Sequence, residues 1–315
     1  MFQSSILLEA PEPANICAVI VTFFPDSTFS ERVSRTLEQV AHVVMIDNGS
    51  DMQTYRHVQQ ALSYPNTDVI RNSTNSGIAT ALNQGVQWAL AKGYEWVLLL
   101  DQDTMPYSHM VRVLAQAYAE FPEKDELALI GSNCYPNSPS KGSQSIKSGW
   151  WTISKMVITS GTLLRLDAAR LIGPFRDEFF IDCVDLEFCL RARAKGFKII
   201  EILEPIMDHD IGNPRTVRLL WFKTTTYNHS PWRSYYEIRN FVIVVRENLA
   251  RDPYWALWFI YVAMKAIPLR LLIEKSRTQK LGYMMLGLYD GIVKRFDRAV
   301  GGARQNAMSG RARAG

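Results

Sequence analysis

Residues 96–103 read Trp-Val-Leu-Leu-Leu-Asp-Gln-Asp, five apolar side chains running directly into two carboxylates. A short, fully apolar run of this kind reads as a strand covered on both faces, as in a parallel sheet. Such a strand delivers Asp101 and Asp103 to its carboxyl rim. Two like charges so close are costly unless a cation or a cluster of donors neutralises them. Carboxylate oxygens suit Mg2+ or Mn2+ bridging a diphosphate. Outward from this stretch, Ile16–Val21 (ICAVIV), Val43–Ile46 (VVMI) and Asp68–Ile70 (DVI) have the same apolar character. Ile78, Ala81, Leu82, Val86, Ala89 and Leu90 recur at helical spacing before the Lys92-Gly93 stop signal, and Met110, Val113, Leu114, Ala117 and Tyr118 do so after the acidic pair. Strands alternating with helices predict an α/β fold with a mostly parallel central sheet flanked by helices. Ligands bind beyond the carboxyl ends of such strands. There the sequence supplies Thr22, then Asp47-Asn48, then Arg71 and Asn75, then Asp101-Gln102-Asp103.

Downstream, Cys134–Lys147 is rich in Ser, Pro and Gly and reads as a long loop. Met156–Leu164 is expected to be a strand, followed by a short helix from Asp167. A helix over Asp185–Lys195 should end at Gly196, with a further strand over Phe197–Leu203. From Pro231 the chain is aromatic and helical, and Tyr254–Leu272 is nearly continuous apolar sequence. Only 11 residues precede Lys265, and Pro268 and Arg270 follow. A bilayer span needs about 20 apolar residues, so an interfacial or re-entrant segment is expected.

A composition that is 47% hydrophobic and 21% charged excludes general disorder and collagen-like repeats. The four cysteines, Cys17, Cys134, Cys183 and Cys189, form no CxxC pair and read as reduced thiols of a cytoplasmic protein. The N-terminus lacks the basic and apolar regions of a secretory signal. Net charge is +4, yet residues 241–315 alone carry +8. That asymmetry points the C-terminal quarter toward an anionic surface, taken as the inner face of a membrane rather than nucleic acid.

Several motifs together resemble a known family. Val21-Thr22-Phe23, Asp47-Asn48-Gly49-Ser50, NSGIATALNQG at 75–85, LLLDQD at 98–103 and FFIDCVDLEFCLRARAKGF at 179–197 resemble family 2 glycosyltransferases across residues 16–240. LLLDQD, FIDxVDxEFxLRA, the HxIG element at His209–Gly212 and NHSPWRSYYEIRN at 228–240 are similar to bacterial rhamnosyltransferases of O-antigen and rhamnolipid type. The resemblance implies a GT-A fold, a dTDP-L-rhamnose donor, a saccharide or lipid-linked acceptor, Mg2+ or Mn2+ as cofactor, and inversion at the anomeric carbon. It implies an N-terminal extension over 1–15 and a catalytic domain over 16–240, with a nucleotide half at 16–131 and an acceptor half at 148–240. A helical, membrane-proximal or oligomerising region over 241–300 and a flexible tail over 301–315 would follow.

Position by position, the resemblance assigns Thr22 and Asp47 to the nucleoside and Asn75 and Gly77 to the loop beside the nucleotide. Arg71 and Gln102 join that donor-binding set. Asp101 would face the ribose or sugar, and Asp103 would hold the metal, with His209 on the metal or diphosphate. Asp185 takes the place of the catalytic base. Many family members carry Glu-Asp there, whereas Val184 precedes Asp185 here, so Asp182 is a candidate for the second carboxylate. Glu187, four residues before Arg191, reads as a helix-surface ion pair. Trp150, Ser160, Gly161, Asp182 and Arg239 are assigned to the acceptor pocket. Trp150 has two open alternatives, stacking on a sugar ring or closing the long loop.

Overall fold

The computed structural model describes residues 9–132, 149–209, 215–219, 222–226, 229–298 and 300–301. In chain order its elements are β1 (Ile16–Thr22), α1 (Phe29–Leu37), β2 (His42–Asp47), α2 (Met52–Ala61), β3 (Thr67–Arg71), α3 (Ile78–Ala91), β4 (Trp96–Asp101), β5 (Thr104–Pro106), α4 (Met110–Glu120) and β6 (Leu127–Ser132). Then come β7 (Trp151–Ile153), β8 (Thr162–Arg165), α5 (Leu166–Ile172), α6 (Val184–Ala194), β9 (Lys198–Ile202), β10 (Met207–His209), β11 (Arg215–Leu219), β12 (Phe222–Thr226), α7 (Arg233–Asn248), α8 (Pro253–Ile273) and α9 (Arg277–Ile292). They form two compact units. One holds the described residues up to Arg176 together with Asp185–His209; the other holds Asp177–Val184 and the described residues after His209.

The first unit is built on an eight-stranded sheet of order β3-β2-β1-β4-β8-β6-β9-β7. The four strands read from the sequence pair in parallel, while β8 and β7 run against their neighbours. All seven residues of β1 are buried, which explains why apolar character is unbroken there rather than alternating. Ile16, Ala18 and Ile20 join a core with Phe29 and Val33 of α1, Val58 of α2 and Leu114 of α4. Val19 faces the other way, toward α3. A Cβ on Gly85 of α3 would lie 2.2 Å from Val19 Cγ1, so the missing side chain lets that helix close on the sheet.

One expected strand is not there. Within Met156–Leu164 only Thr162–Leu164 are in β8, and residues 156–161 follow an irregular path. Gly161 stands at φ +76°, a turn conformation that breaks a β-branched run which would otherwise read as extended. The Cys134–Lys147 loop assignment lies outside the described residues.

In the second unit, α8 is one continuous helix of 21 residues through Pro268. Lys265, a good helix former, lies within it, with its ammonium 4.2 Å from the centroid of the Tyr261 ring. The helix is long and apolar enough to cross a membrane, with mean hydropathy 1.7 over its most apolar 18-residue stretch and only 6% of that stretch buried.

Candidate functional site

Strand register brings the sequence-marked residues to one edge of the first unit. Thr22 of β1 pairs with Asp47 of β2, Asp47 pairs with Arg71 of β3, and Val21 pairs with Asp101 of β4. Asp47 is fully buried. Its Oδ1 accepts from Thr22 Oγ1 and from the Ser50 backbone N–H, both at 3.4 Å. Its Oδ2 accepts no hydrogen bond, although Arg71 Nε stands 3.3 Å away as an ion-pair partner. Arg71 is held over the Tyr55 ring at 3.8 Å and donates to the Ser50 carbonyl. A buried carboxylate with one oxygen unused by hydrogen bonding is an acceptor poised for an incoming N–H.

Beside it, Asn48 ties the loop after β2 to the loop between β3 and α3. Its amide donates to Asn75 Oδ1 at 2.9 Å and to the Gly77 carbonyl at 3.1 Å, and its carbonyl accepts from Asn72 Nδ2 and the Ser76 N–H. Gly77, at φ +88°, caps the N-terminus of α3 and donates to Asn75 Oδ1. The start of α3 thus lies next to Asp47, where a helix N-terminus favours an anion.

The acidic turn Asp101–Thr104 is fastened from several sides. Gln102 Oε1 accepts from the Phe23 N–H at 2.7 Å, and the Gln102 carbonyl accepts from Arg32 Nη1 at 3.1 Å. Ser160 Oγ accepts from the Asp101 N–H at 3.2 Å and lies 2.5 Å from Thr104 Oγ1. Register then places His209 of β10 opposite Thr104 of β5, so backbone pairing brings His209 beside the acidic turn. Among the described residues no group of three or more His, Cys, Asp or Glu is placed to hold a metal ion. Asp101 and Asp103 are the carboxylates that this turn carries, a donor type whose chemistry suits a hard divalent cation taking further ligands from phosphate and water.

Asp185 lies in the first turn of α6, half-buried, its Oδ1 accepting from the Leu186 N–H at 2.8 Å. It lines a small cleft with Thr159, Thr162, Phe188 and Cys189. Burial pushes the Cys189 thiol up to about 12, so no thiolate competes there. Glu187 makes the expected ion pair with Arg191, 2.8 Å at its shorter contact.

Four acceptor-side assignments acquire internal roles. Arg239 is buried, and its Nη2 donates to the Glu178 carbonyl at 2.5 Å, while Asn240 Nδ2 reaches the carbonyls of Phe179, Ile181 and Asp182 at 2.8, 2.9 and 2.9 Å. Arg239 is committed to backbone and has no donor aimed at a ligand in those bonds. Asp182 is gripped by Arg233 through both oxygens. The loop they hold is strained, with Phe180, Asp182 and Cys183 at φ 60°, 65° and 60°. Trp150 Nε1 donates to Glu120 Oε2 at 3.0 Å and the ring packs on the core, which favours its structural alternative. Gly161 is required by space, since a Cβ would lie 2.2 Å from Ser132 Oγ.

Residues 17–163 match the sequence profile of glycosyl transferase family 2. This chain is a glycosyltransferase, and its residues 17–163 resemble family 2. The enzyme is 28% identical over 313 residues to the dTDP-rhamnosyl transferase RfbF of Shigella flexneri, covering 93% of this chain and 99% of that protein. Its fold is GT-A. It is similar to a mannosyltransferase of Pyrobaculum calidifontis solved with GDP-Man and Mn2+, at 14% identity and TM-score 0.55, over 89% of this chain and 88% of that one. It is also similar to residues 1–349 of S. aureus TarS in complex with UDP-GlcNAc, at 15% identity and TM-score 0.55, over 95% and 92% of the two chains. Sequence reasoning missed Arg32, Asn72 and Thr104 in this glycosyltransferase. They reach Gln102, Asn48 and Ser160, which lie 70, 24 and 56 residues away in the chain, and no local periodicity marks them.

Proposed function

We propose that this glycosyltransferase moves L-rhamnose from dTDP-L-rhamnose to a hydroxyl of a saccharide or lipid-linked acceptor, with inversion. The carrying observation is Asp47, a fully buried carboxylate whose Oδ2 accepts no hydrogen bond, one strand from the rim that bears Asp101 and Asp103. That oxygen suits the base N–H of a thymine nucleotide. The choice of dTDP-rhamnose over a UDP- or GDP-sugar rests on the likeness to the Shigella protein.

Thr22, Asp47 and Arg71 bind the nucleoside, Asn75 and Gly77 bring the α3 N-terminus to the phosphates, and Gln102 locks the turn that carries the acids. Asp101 faces the ribose or sugar. Asp103, with His209, would hold Mg2+ or Mn2+, which supplies charge neutralisation on the departing diphosphate. Asp185 is the catalytic base. It takes the proton of the acceptor hydroxyl as that oxygen attacks the anomeric carbon from the face opposite dTDP.

Hydrolysis and transfer assays with dTDP-rhamnose, UDP-glucose and GDP-mannose, with Mn2+ or with chelator, test the donor. Turnover confined to UDP- or GDP-sugars would replace rhamnose. Asp185→Asn should cut turnover about 10²–10⁴-fold while leaving dTDP affinity unchanged, and near-native turnover would remove Asp185 from the chemistry.

The same proposal places the enzyme on the inner face of the cytoplasmic membrane. Tyr254, Leu257, Trp258, Tyr261 and Met264 of α8 are all exposed, and α9 adds Met285, Tyr289 and Ile292. Arg270, Lys280, Lys294, Arg295 and Arg298 are ion-paired with carboxylates of their own unit. Those carboxylates are already counted in the net +8 of residues 241–315, so a positive surplus remains to act beside apolar insertion. Flotation with neutral and anionic liposomes tests this: Trp258→Glu/Tyr261→Glu should abolish binding, and failure of the wild type to float would refute it.

A further inference from the structure

The hydroxyl of Ser160 meets the acidic turn at both ends. Its Oγ accepts from the N–H of Asp101, where the turn begins, and pairs at 2.5 Å with Oγ1 of Thr104, where it closes. Ser160 is 1% exposed and Thr104 2%, so neither bond competes with bulk water. The serine is itself fixed from behind. Its carbonyl accepts from Ser132 Oγ at 3.3 Å, and the Gly161 N–H donates to the Leu99 carbonyl at 2.8 Å, two residues upstream of Asp101. One oxygen atom therefore spans the turn from Asp101 to Thr104 that carries the two candidate ligand carboxylates, on a backbone tied to β4 by the Gly161 N–H.

We propose that Ser160, acting with Thr104, is a positioning residue that sets the Asp101–Asp103 carboxylate pair for a divalent cation bound with the nucleotide diphosphate. The proposal rests on the metal-assisted function above and replaces the acceptor-pocket assignment of Ser160. Its physical basis is the repulsion within the pair. Two carboxylates one residue apart separate unless the backbone carrying them is held, and a cation that must first bring them together binds more weakly. Groups that orient metal ligands without touching the metal typically contribute about 10–100-fold to its affinity.

Calorimetry of dTDP binding with and without Mn2+ tests this, because the ratio of the two affinities isolates the cation's contribution. Ser160→Ala is expected to lower that ratio about 10–100-fold while leaving metal-free dTDP affinity near the wild-type value. Thr104→Val, which keeps side-chain shape, should lower it in the same direction, and the double variant should lose little more than Ser160→Ala because the two share one bond. Ser132→Ala removes a hydrogen bond from the same buried cluster but none to the acidic turn. It should lower Tm without changing the ratio. If Ser160→Ala does not fold, Thr104→Val carries the test. An unchanged ratio in Ser160→Ala or Thr104→Val overturns the proposal, as does an equal loss in Ser132→Ala, which would signify general loosening. A wild-type protein with no Mn2+ enhancement overturns the metal-assisted function itself, and the proposal with it.

Discussion

Replacing Asp47 by Asn separates its binding role from any folding role. Both donors to this carboxylate, the Thr22 hydroxyl and the Ser50 N–H, address Oδ1. In Asp47→Asn the amide oxygen would therefore keep that position, and the new Nδ2 would stand where Oδ2 now faces Arg71. The folded chain loses an ion pair that is 37% exposed on the Arg71 side but fully buried on the Asp47 side, so the exposed-pair value of about 0–1 kcal/mol is a lower bound on the cost. The bound nucleotide loses a charge-assisted acceptor for its base N–H, worth about 1.5–3 kcal/mol. Affinity for dTDP should then fall about 10- to 150-fold in the protein that remains folded. Calorimetry against dTDP and its N3-methyl analogue, which lacks the base N–H, checks the assignment. Wild type should discriminate between the two ligands, and Asp47→Asn should not. A variant that binds dTDP within twofold of wild type, or that still discriminates, refutes the role given to Oδ2.

Further outcomes follow from the second unit. Asn240→Ala strips three carbonyls of their common donor and should cost at least about 1–3 kcal/mol; an unchanged urea midpoint would contradict the hydrogen bonds described. His229 is held down to about 4 by burial and by the neighbouring Arg233 guanidinium, against an ordinary 6.5. The unfolded chain therefore binds the proton first as pH falls, and stability should drop between pH 6.5 and 4. His229→Gln should flatten that part of the stability curve, and parallel curves for the two proteins would refute a buried neutral imidazole.

How much the sequence discloses depends on whether a feature is local. The strands β1 to β4 are legible because burial on both faces leaves an unbroken apolar run, and the carboxylates that end β4 announce the rim. The non-strand path of residues 156–161 is illegible. The bond that holds its turn, from the Gly161 N–H to the Leu99 carbonyl, comes from a residue remote in the chain. Arg239 looks like a ligand-binding cation in a polar, aromatic motif. Only the structure shows its guanidinium spent on carbonyls some 60 residues away. The C-terminal +8 likewise hides its pairing: Arg270 meets Glu237 and Lys294 meets Glu247, acids 33 and 47 residues away that no local pattern marks.

The Asn48-Gly49 step has a bearing on how this enzyme ages. Asn followed by Gly is the dipeptide most prone to cyclise, through attack of the glycine nitrogen on the side-chain carbonyl, because glycine offers no steric hindrance. In the folded enzyme the Asn48 side chain is pinned by four hydrogen bonds, and Gly49 is fixed at φ +90° against the Thr74 backbone. The amide cannot swing into the attacking geometry, so the fold shields its own weakest covalent point. Time spent unfolded removes that shield. Each chain that cyclises and hydrolyses there carries an aspartate or isoaspartate where a two-donor amide once joined two loops, so heat inactivation becomes a permanent chemical event, detectable as a gain of about 1 Da on the peptide spanning residue 48.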